Sequence, residues 1–241
     1  MQIGPDVLFS VAGFPVTNTV VTTIITDIII IAAAIAISRV AALKPGSFQN
    51  AVEAVVDYFR DITQEVAGSR AQFIYQWVVA FFLFIVVSNL IAQFPGFESI
   101  RFITPNSGEH GVPLFRAATS DLNLTLALAV ISVITTQLLG IKHTGIRAYI
   151  GRFISFRMFP IFLFVGFLEF VNEITKIVSF SFRLFGNIFA GEQVLGTMYG
   201  MFPVLLPLPF ITLEIIVALI QALVFAMLTM AFMHIMTDKS H

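Results

Sequence analysis

Lys176, Ser179, Arg183, Gly186 and Ala190 are spaced 3, 4, 3 and 4 residues apart, so on a helix they share one face. Glu169, Asn172 and Glu173 continue the stripe, and the run that carries it, from Pro160 to Met201, is otherwise apolar. An ionisable residue at mid-bilayer costs about 2.5–3.5 kcal/mol on insertion scales, so it persists where it meets protein or water. The neighbours of Arg183 on this face are small, which lets another helix approach closely. The face thus offers a fixed cation in a shallow groove, suited to a partner helix bearing a carboxylate. A guanidinium keeps its proton at any reachable pH, whereas a buried Lys can shed one. Arginine is therefore the residue type for a barrier between two proton pathways. A structural reading stands beside this one, with Arg183 paired to Glu192, Glu214 or Glu173. Glu192 lies nine residues on, about 180° around a regular helix and about 13 Å along it, and Glu173 lies ten residues back. Spacing alone leaves a cross-helix structural pair and a functional cation both open.

Glu214 and Gln221 are seven residues apart and share a helix face two turns apart. With Glu192 they can line a wet path through apolar helices; the alternative is that each is capped by a polar neighbour. His234 and His241 sit at the end of the chain and read as solvated. No His and acidic residues have metal-ligand spacing, and Cys is absent, so no metal site, thiol chemistry or disulfide is expected. No GxxxxGK[ST] motif occurs, so any link to ATP must lie in another chain.

These residues need helices to hold them in a bilayer. The chain is 58% hydrophobic and 11% charged, against about 25% charged in an average soluble domain. One all-α polytopic membrane domain follows. Apolar runs of about 20 residues mark spans at 17–38, 72–94 and 119–140, followed by two longer segments at 160–201 and 208–236. Residues 48–66 differ: Phe48, Ala51, Val52, Val55, Phe59, Ile62 and Val66 form an apolar stripe opposite Glu53, Asp57, Asp61 and Glu65. This reads as an interfacial amphipathic helix whose acidic face is either solvated or docks a basic partner. Lys44-Pro45-Gly46 and Pro95-Gly96 close the first two spans, and Pro203, Pro207 and Pro209 break the last two apart. The two long helices are expected to tilt strongly. Residues 1–16 carry no Lys or Arg and do not resemble a signal peptide.

Five crossings put Arg39, Lys44, Arg60, Arg70, Lys142, Arg147, Arg152, Arg157 and Lys239 on one side and only Arg101 and Arg116 on the other. Basic residues favour the cytoplasmic side, so the N-terminus is expected outside and the C-terminus in the cytoplasm.

The run from Ser181 through Arg183-Leu184-Phe185-Gly186-Asn187 to Ala190-Gly191-Glu192 closely resembles subunit a of the F-type ATP synthases. The stretches Asp121-Leu122-Asn123-Leu124-Thr125 and Gln221-Ala222-Leu223-Val224-Phe225 agree, and the resemblance covers essentially the whole chain. It implies that Arg183 is the essential arginine facing a ring of c subunits and keeping two aqueous half-channels apart. Asn187, Glu192 and Gln221 match residues of the outer half-channel. Glu214 falls where many relatives carry His, so two acids stand together here, sharing a proton or binding a cation. Asp121, Asn123, Lys176, Glu173 and Glu169 are secondary candidates. The resemblance also implies peripheral-stalk b subunits, an F1 sector acting indirectly, membrane lipids, and a bacterial plasma membrane. No cofactor and no nucleic-acid partner are expected. By physics alone the rival is a secondary cation transporter or channel, although the absence of internal repeats disfavours it; a purely structural scaffold comes third.

Overall fold

The structure, a computed structural model, describes residues 4–11, 13–40, 46–93, 100–102, 111–146, 161–201 and 206–237. Lys44, Pro45, Pro95, Gly96, Arg147, Arg152, Arg157, Pro203, Lys239 and His241 lie outside the described residues.

Six helices account for most of it: α1 (Asn18–Val40), α2 (Ser47–Ala67), α3 (Ala71–Ala92), α4 (Leu122–Thr144), α5 (Ile161–Met201) and α6 (Pro207–Thr237). Four helical stretches are long and apolar enough to cross a bilayer: Asn18–Arg39, Gln49–Ala92, Leu122–His143 and Pro207–Thr237. The chain is an all-α, multi-pass membrane protein. Helix α5 is the longest, with 41 residues, and it carries Glu169, Glu173, Lys176, Arg183 and Glu192. At 1.5 Å per residue it is about 60 Å long, and α6, with 31 residues, about 46 Å. Neither stands upright within a hydrocarbon core of about 30 Å, so each must lean, bend or project beyond it. Helix α6 begins at Pro207, one residue before the segment 208–236 read from the sequence. Pro207 and Pro209 both fall in its first turn, where a missing N–H costs no helical hydrogen bond.

Helix α2 folds back on α3. Gly68, at φ +53°, closes α2 by donating its N–H to Gln64 O, a conformation that glycine takes without penalty. The reversal brings the Phe59 and Phe82 rings to 4.7 Å. The buried face of α2, with Phe59, Thr63 and Ala67, packs on α3 and α6, while Glu53, Asp57, Asp61 and Glu65 all remain exposed. A second core cluster joins α3, α4, α5 and α6 through Phe81, Ile85, Leu128, Phe180, Leu184 and Phe225. Lys142 and His143 at the end of α4 contact Phe73 at the start of α3, so these two helices run antiparallel.

Much of what is buried between helices is polar. Ser132 meets Thr229 at 2.8 Å across α4 and α6, and Thr125 meets Ser181 at 3.3 Å across α4 and α5. Thr119, in the 3₁₀ turn Ala118–Ser120, donates to Asn89 Oδ1 of α3. Helix α1 buries Asn18, Thr19, Thr22 and Thr26 and exposes Ile24, Ile28, Ile31 and Ile35. This inversion of the soluble pattern fits a lipid surroundings, in which apolar association has no drive and hydrogen bonds join helices.

Two small ribbons stand at the Asn18 end of the bundle, and neither is foreseen by the helical reading of the sequence. Strands β1 (Val7–Val11) and β2 (Phe14–Thr17) pair antiparallel, as do β3 (Arg101–Phe102) and β4 (Val112–Pro113). Asn18 Nδ2 reaches Pro113 O at 3.4 Å, which ties the first ribbon and α1 to the second.

Asp121 secures the same end. Its side chain accepts from Asn123 N at 2.9 Å as the N-cap of α4 and from Thr19 Oγ1 of α1 at 3.0 Å. Replacing Asp121 with Ala is expected to destabilise the chain by about 1–2 kcal/mol, the usual cost of a lost cap. Asp121→Asn, which keeps the acceptor, should lose less, and thermal melts of the purified complex in detergent distinguish the two.

Candidate functional site

Helices α5 and α6 run antiparallel, joined by a ladder of contacts. From the Lys142 end upward, Lys176 Nζ lies 4.6 Å from the Phe232 ring centroid and the Phe180 and Phe225 rings are 5.1 Å apart. Asn187 Nδ2 then donates to Gln221 Oε1 at 2.6 Å. At the next rung Gly191 lies so close to Glu214 that a β-carbon there would sit 2.7 Å from Glu214 Oε1.

Leu184 and Ile188 are fully buried on the inner face of α5. Arg183 lies off this inner face and is exposed, as are Phe182, Asn187 and Ala190. Its Nη2 donates to Ser179 Oγ, one turn back, at 3.3 Å. Among the described residues no acidic side chain lies within ion-pairing distance of it. The stripe around Arg183 is open as well as small, since a β-carbon on Gly186 would meet nothing within 4 Å.

Two of the acids that could pair with Arg183 are bound elsewhere. Glu173 holds Lys176 at 2.6 Å within the helix, the pair about four-fifths or more buried. Glu192 accepts from Arg116 Nε at 3.3 Å, with their side chains 11% and 12% exposed. Glu214 is 3% exposed and Gln221 5%. Glu169 is half-buried about one turn before Glu173. The structure therefore brings Asn187, Gln221, Glu192 and Glu214 together around one end of the α5–α6 ladder. Asp121 and Asn123 stay outside it as capping residues, although Thr125, in the same motif, reaches Ser181 two residues from Arg183.

Arg116 is the residue that sequence reading does not assign to the site. In the sequence it is one of two basic residues on its side, and no spacing connects it to Glu192 across 76 positions. Its Nη1 also donates to Gly4 O at 2.9 Å, and its backbone N–H points to Thr22 Oγ1 at 3.4 Å.

The arrangement has the parts of an ion path. Carboxyl groups can take up and release protons, paired amides can hydrogen-bond water, and an exposed guanidinium can attract a passing carboxylate. A family model described as ATP synthase A chain matches residues 19–234. The chain belongs to this family. It is 32% identical over 231 residues to the ATP synthase subunit a of Moorella thermoacetica, covering 96% of this chain and 95% of that one. The subunit a of Geotalea daltonii is 32% identical over 200 residues, covering 82% and 77%, and that of Citrifermentans bemidjiense 30% over 236, covering 97% and 92%.

Gly191 and Gly186 give this ATP synthase A chain member a paired test. Gly191→Ala must push the Glu214 carboxyl aside, and overpacking of this kind costs about 1–3 kcal/mol. Gly186→Ala meets open space and should leave the melting temperature of the isolated chain unchanged or slightly raised. Equal effects would mean that Glu214 is not seated on Gly191.

Proposed function

We propose that this chain is the proton-conducting stator of a rotary ATP synthase, in which Arg183 separates two aqueous half-channels that reach a ring of c subunits. The observation that carries this reading is the isolation of Arg183. Its guanidinium is exposed on a membrane helix, backed by buried Leu184 and Ile188, and the nearest candidate acids are bound to Lys176 and Arg116. Membership of the ATP synthase A chain family supplies the context.

The open stripe of Ser179, Gly186 and Ala190 accepts the outer helix of a c subunit at close range. A proton enters from outside past Glu192, Glu214, Gln221 and Asn187 and neutralises a c-subunit carboxylate. The neutral carboxyl can then turn into lipid, because its burial no longer carries a charge. After nearly a full turn it loses its proton into the second half-channel on the cytoplasmic side. Arg183 attracts the new carboxylate and repels protons, so ions cross only with rotation. Each proton moved through 100 mV supplies about 2.3 kcal/mol, so several are needed per ATP, which is made in the F1 sector. Peripheral-stalk b subunits hold the stator still. The chain lies in a bacterial plasma membrane with its N-terminus outside and its C-terminus in the cytoplasm. Lys142, Arg70 and Arg39 then share the cytoplasmic side, and Arg116 and Glu192 face outward.

In vesicles carrying the assembled complex, Arg183→Ala and Arg183→Lys are both expected to lose ATP-driven pumping. Only Arg183→Ala should gain a passive proton leak once F1 is stripped away. Variants that assemble and pump at the wild-type rate would make Arg183 a structural charge and end this reading. Gly186→Leu, which fills the stripe, should leave the isolated chain folded yet prevent it from copurifying with c subunits.

A further inference from the structure

We infer that the elbow between α2 and α3 holds the headgroup of a phospholipid that carries a primary ammonium. The phosphate sits on Arg60, Gln64, Gln72 and Tyr75, and the ammonium sits beside Asp57. The site is built from two helices that do not carry Arg183, so it stands or falls independently of the stator reading. Where α2 turns into α3 there is a cavity of about 140 Å³ lined by Arg60, Gln64, Ala71, Gln72 and Tyr75. One water needs about 10–15 Å³, so the cavity has room for a polyatomic group.

Four of the five lining side chains are donors: a guanidinium, two primary amides and a phenol. Among the described residues none of the four side chains has a hydrogen-bond or ion-pair partner. A phosphodiester presents two free oxygens to such a set, and its bonds to Arg60 are charge-assisted. The donors are held in advance of any ligand. Next to Arg60, Phe59 is 1% exposed and stacks 4.7 Å from Phe82. Thr63 Oγ1 donates to Phe59 O at 2.6 Å and lies 3.4 Å from Met230 Sδ of α6. Gly68 N–H closes the elbow on Gln64 O.

The cavity opens at headgroup level. Gln72 and Tyr75 fall in the first two turns of α3, where its apolar span begins. Lys142 Nζ lies 4.7 Å from the Phe73 ring at this end, and Tyr58 and Trp77 are exposed. Tyr and Trp gather at membrane–water interfaces.

Charge narrows the ligand further. Glu53, Asp57, Arg60 and Gln64 are spaced 4, 3 and 4 apart and share a stripe of α2. With Asp61 and Glu65, four exposed acids surround one arginine on this helix. That field opposes any ligand of net negative charge, including inorganic phosphate and a phosphoglycerol lipid. A zwitterion meets both signs, its phosphate at Arg60 and its ammonium one turn back at Asp57. These two side chains are neighbours on the helix yet form no salt bridge, so both face the ligand. A quaternary ammonium has no N–H to donate, which favours the primary amine.

The test is photolabelling of the whole complex in detergent with a phosphatidylethanolamine bearing a diazirine on its acyl chain, followed by peptide mapping. Label is expected on peptides from residues 47–92. Unlabelled phosphatidylethanolamine should compete about tenfold better than phosphatidylcholine or phosphatidylglycerol, the difference that one charge-assisted contact makes. Arg60→Ala should lower labelling there by a similar factor, Arg60→Lys should keep at least half of it, and Asp57→Asn should let phosphatidylcholine compete equally. Free phosphoethanolamine and inorganic phosphate should not compete at millimolar concentration. Displacement by either would make the ligand a soluble phosphate and overturn the lipid assignment. Equal competition by all three lipids in the wild type would overturn it too, leaving unspecific lipid contact only. Copurification with c subunits establishes assembly of each variant. The competition pattern of the wild type decides the matter even if Arg60→Ala does not assemble.

Discussion

A guanidinium that cannot give up its proton, set on a largely apolar helix of a membrane protein, constrains everything around it. Arg183 cannot neutralise itself as Lys or Glu can, and burying it alone in hydrocarbon carries a cost of about 2.5–3.5 kcal/mol or more. A structural solution would be an internal ion pair. Here the acids nearest in sequence are bound to Lys176 and Arg116, and among the described residues Arg183 is held by a neutral hydroxyl within its own helix. Under the proposed function the compensation comes from outside the chain, from water and from a c-subunit carboxylate, and the face of α5 that carries Arg183 is the interface.

The rest of the bundle keeps that face open and rigid. Helix α5 packs on α4, α6 and the 3₁₀ turn before α4, so its support comes from one side. The contacts that fix it are polar bonds and a tilted aromatic pair: Thr125 to Ser181, Asn187 to Gln221, and Phe180 against Phe225. In lipid, such contacts do what apolar burial does in water. Each lies within two turns of Arg183, so the guanidinium is borne on a helix whose rotation is fixed both above and below it. Phe182 and Ala190, left uncovered on the same face, leave the approach of a second helix unobstructed.

The helices were legible in the sequence because a bilayer imposes length and composition on a span, and the stripe around Arg183 was legible because 3- and 4-residue spacing is how a helix makes a face. The same spacing argument turned Glu192 away from Arg183 but could not say where it went. Its partner, Arg116, comes from a polar loop whose path depends on ribbons of two to five residues. Such ribbons have no periodicity long enough to detect, and β2 even contains Pro15 on an edge strand. Asp121 shows a different limit. Its motif was visible, yet the fold uses it as a helix cap and a clasp to Thr19, roles that need the position of α1 to be known. Pro207 and Pro209 mark the start of α6, where a breaker is harmless because it lies in the first turn.

The order of charges along α5 draws these strands together. Glu173 is matched by Lys176, Arg183 stands unmatched about 15 Å further on, and Glu192 is matched by Arg116 about 13 Å beyond that. Matched pairs exert little field at a distance, because opposite charges a few ångströms apart cancel beyond their own separation. Under the proposed function, a rotor carboxylate passing α5 would meet Arg183 as the cation with no ion-paired acid among the described residues, the remaining charge of the helix, Glu169, standing about 21 Å away along it. Had Glu192 or Glu173 paired with Arg183, the attraction would have been spent within the stator. Had either pair been left open, a second charge would compete for the same carboxylate. Exposure to water then limits how tightly the single cation can hold its visitor, so attraction can localise the carboxylate without trapping it.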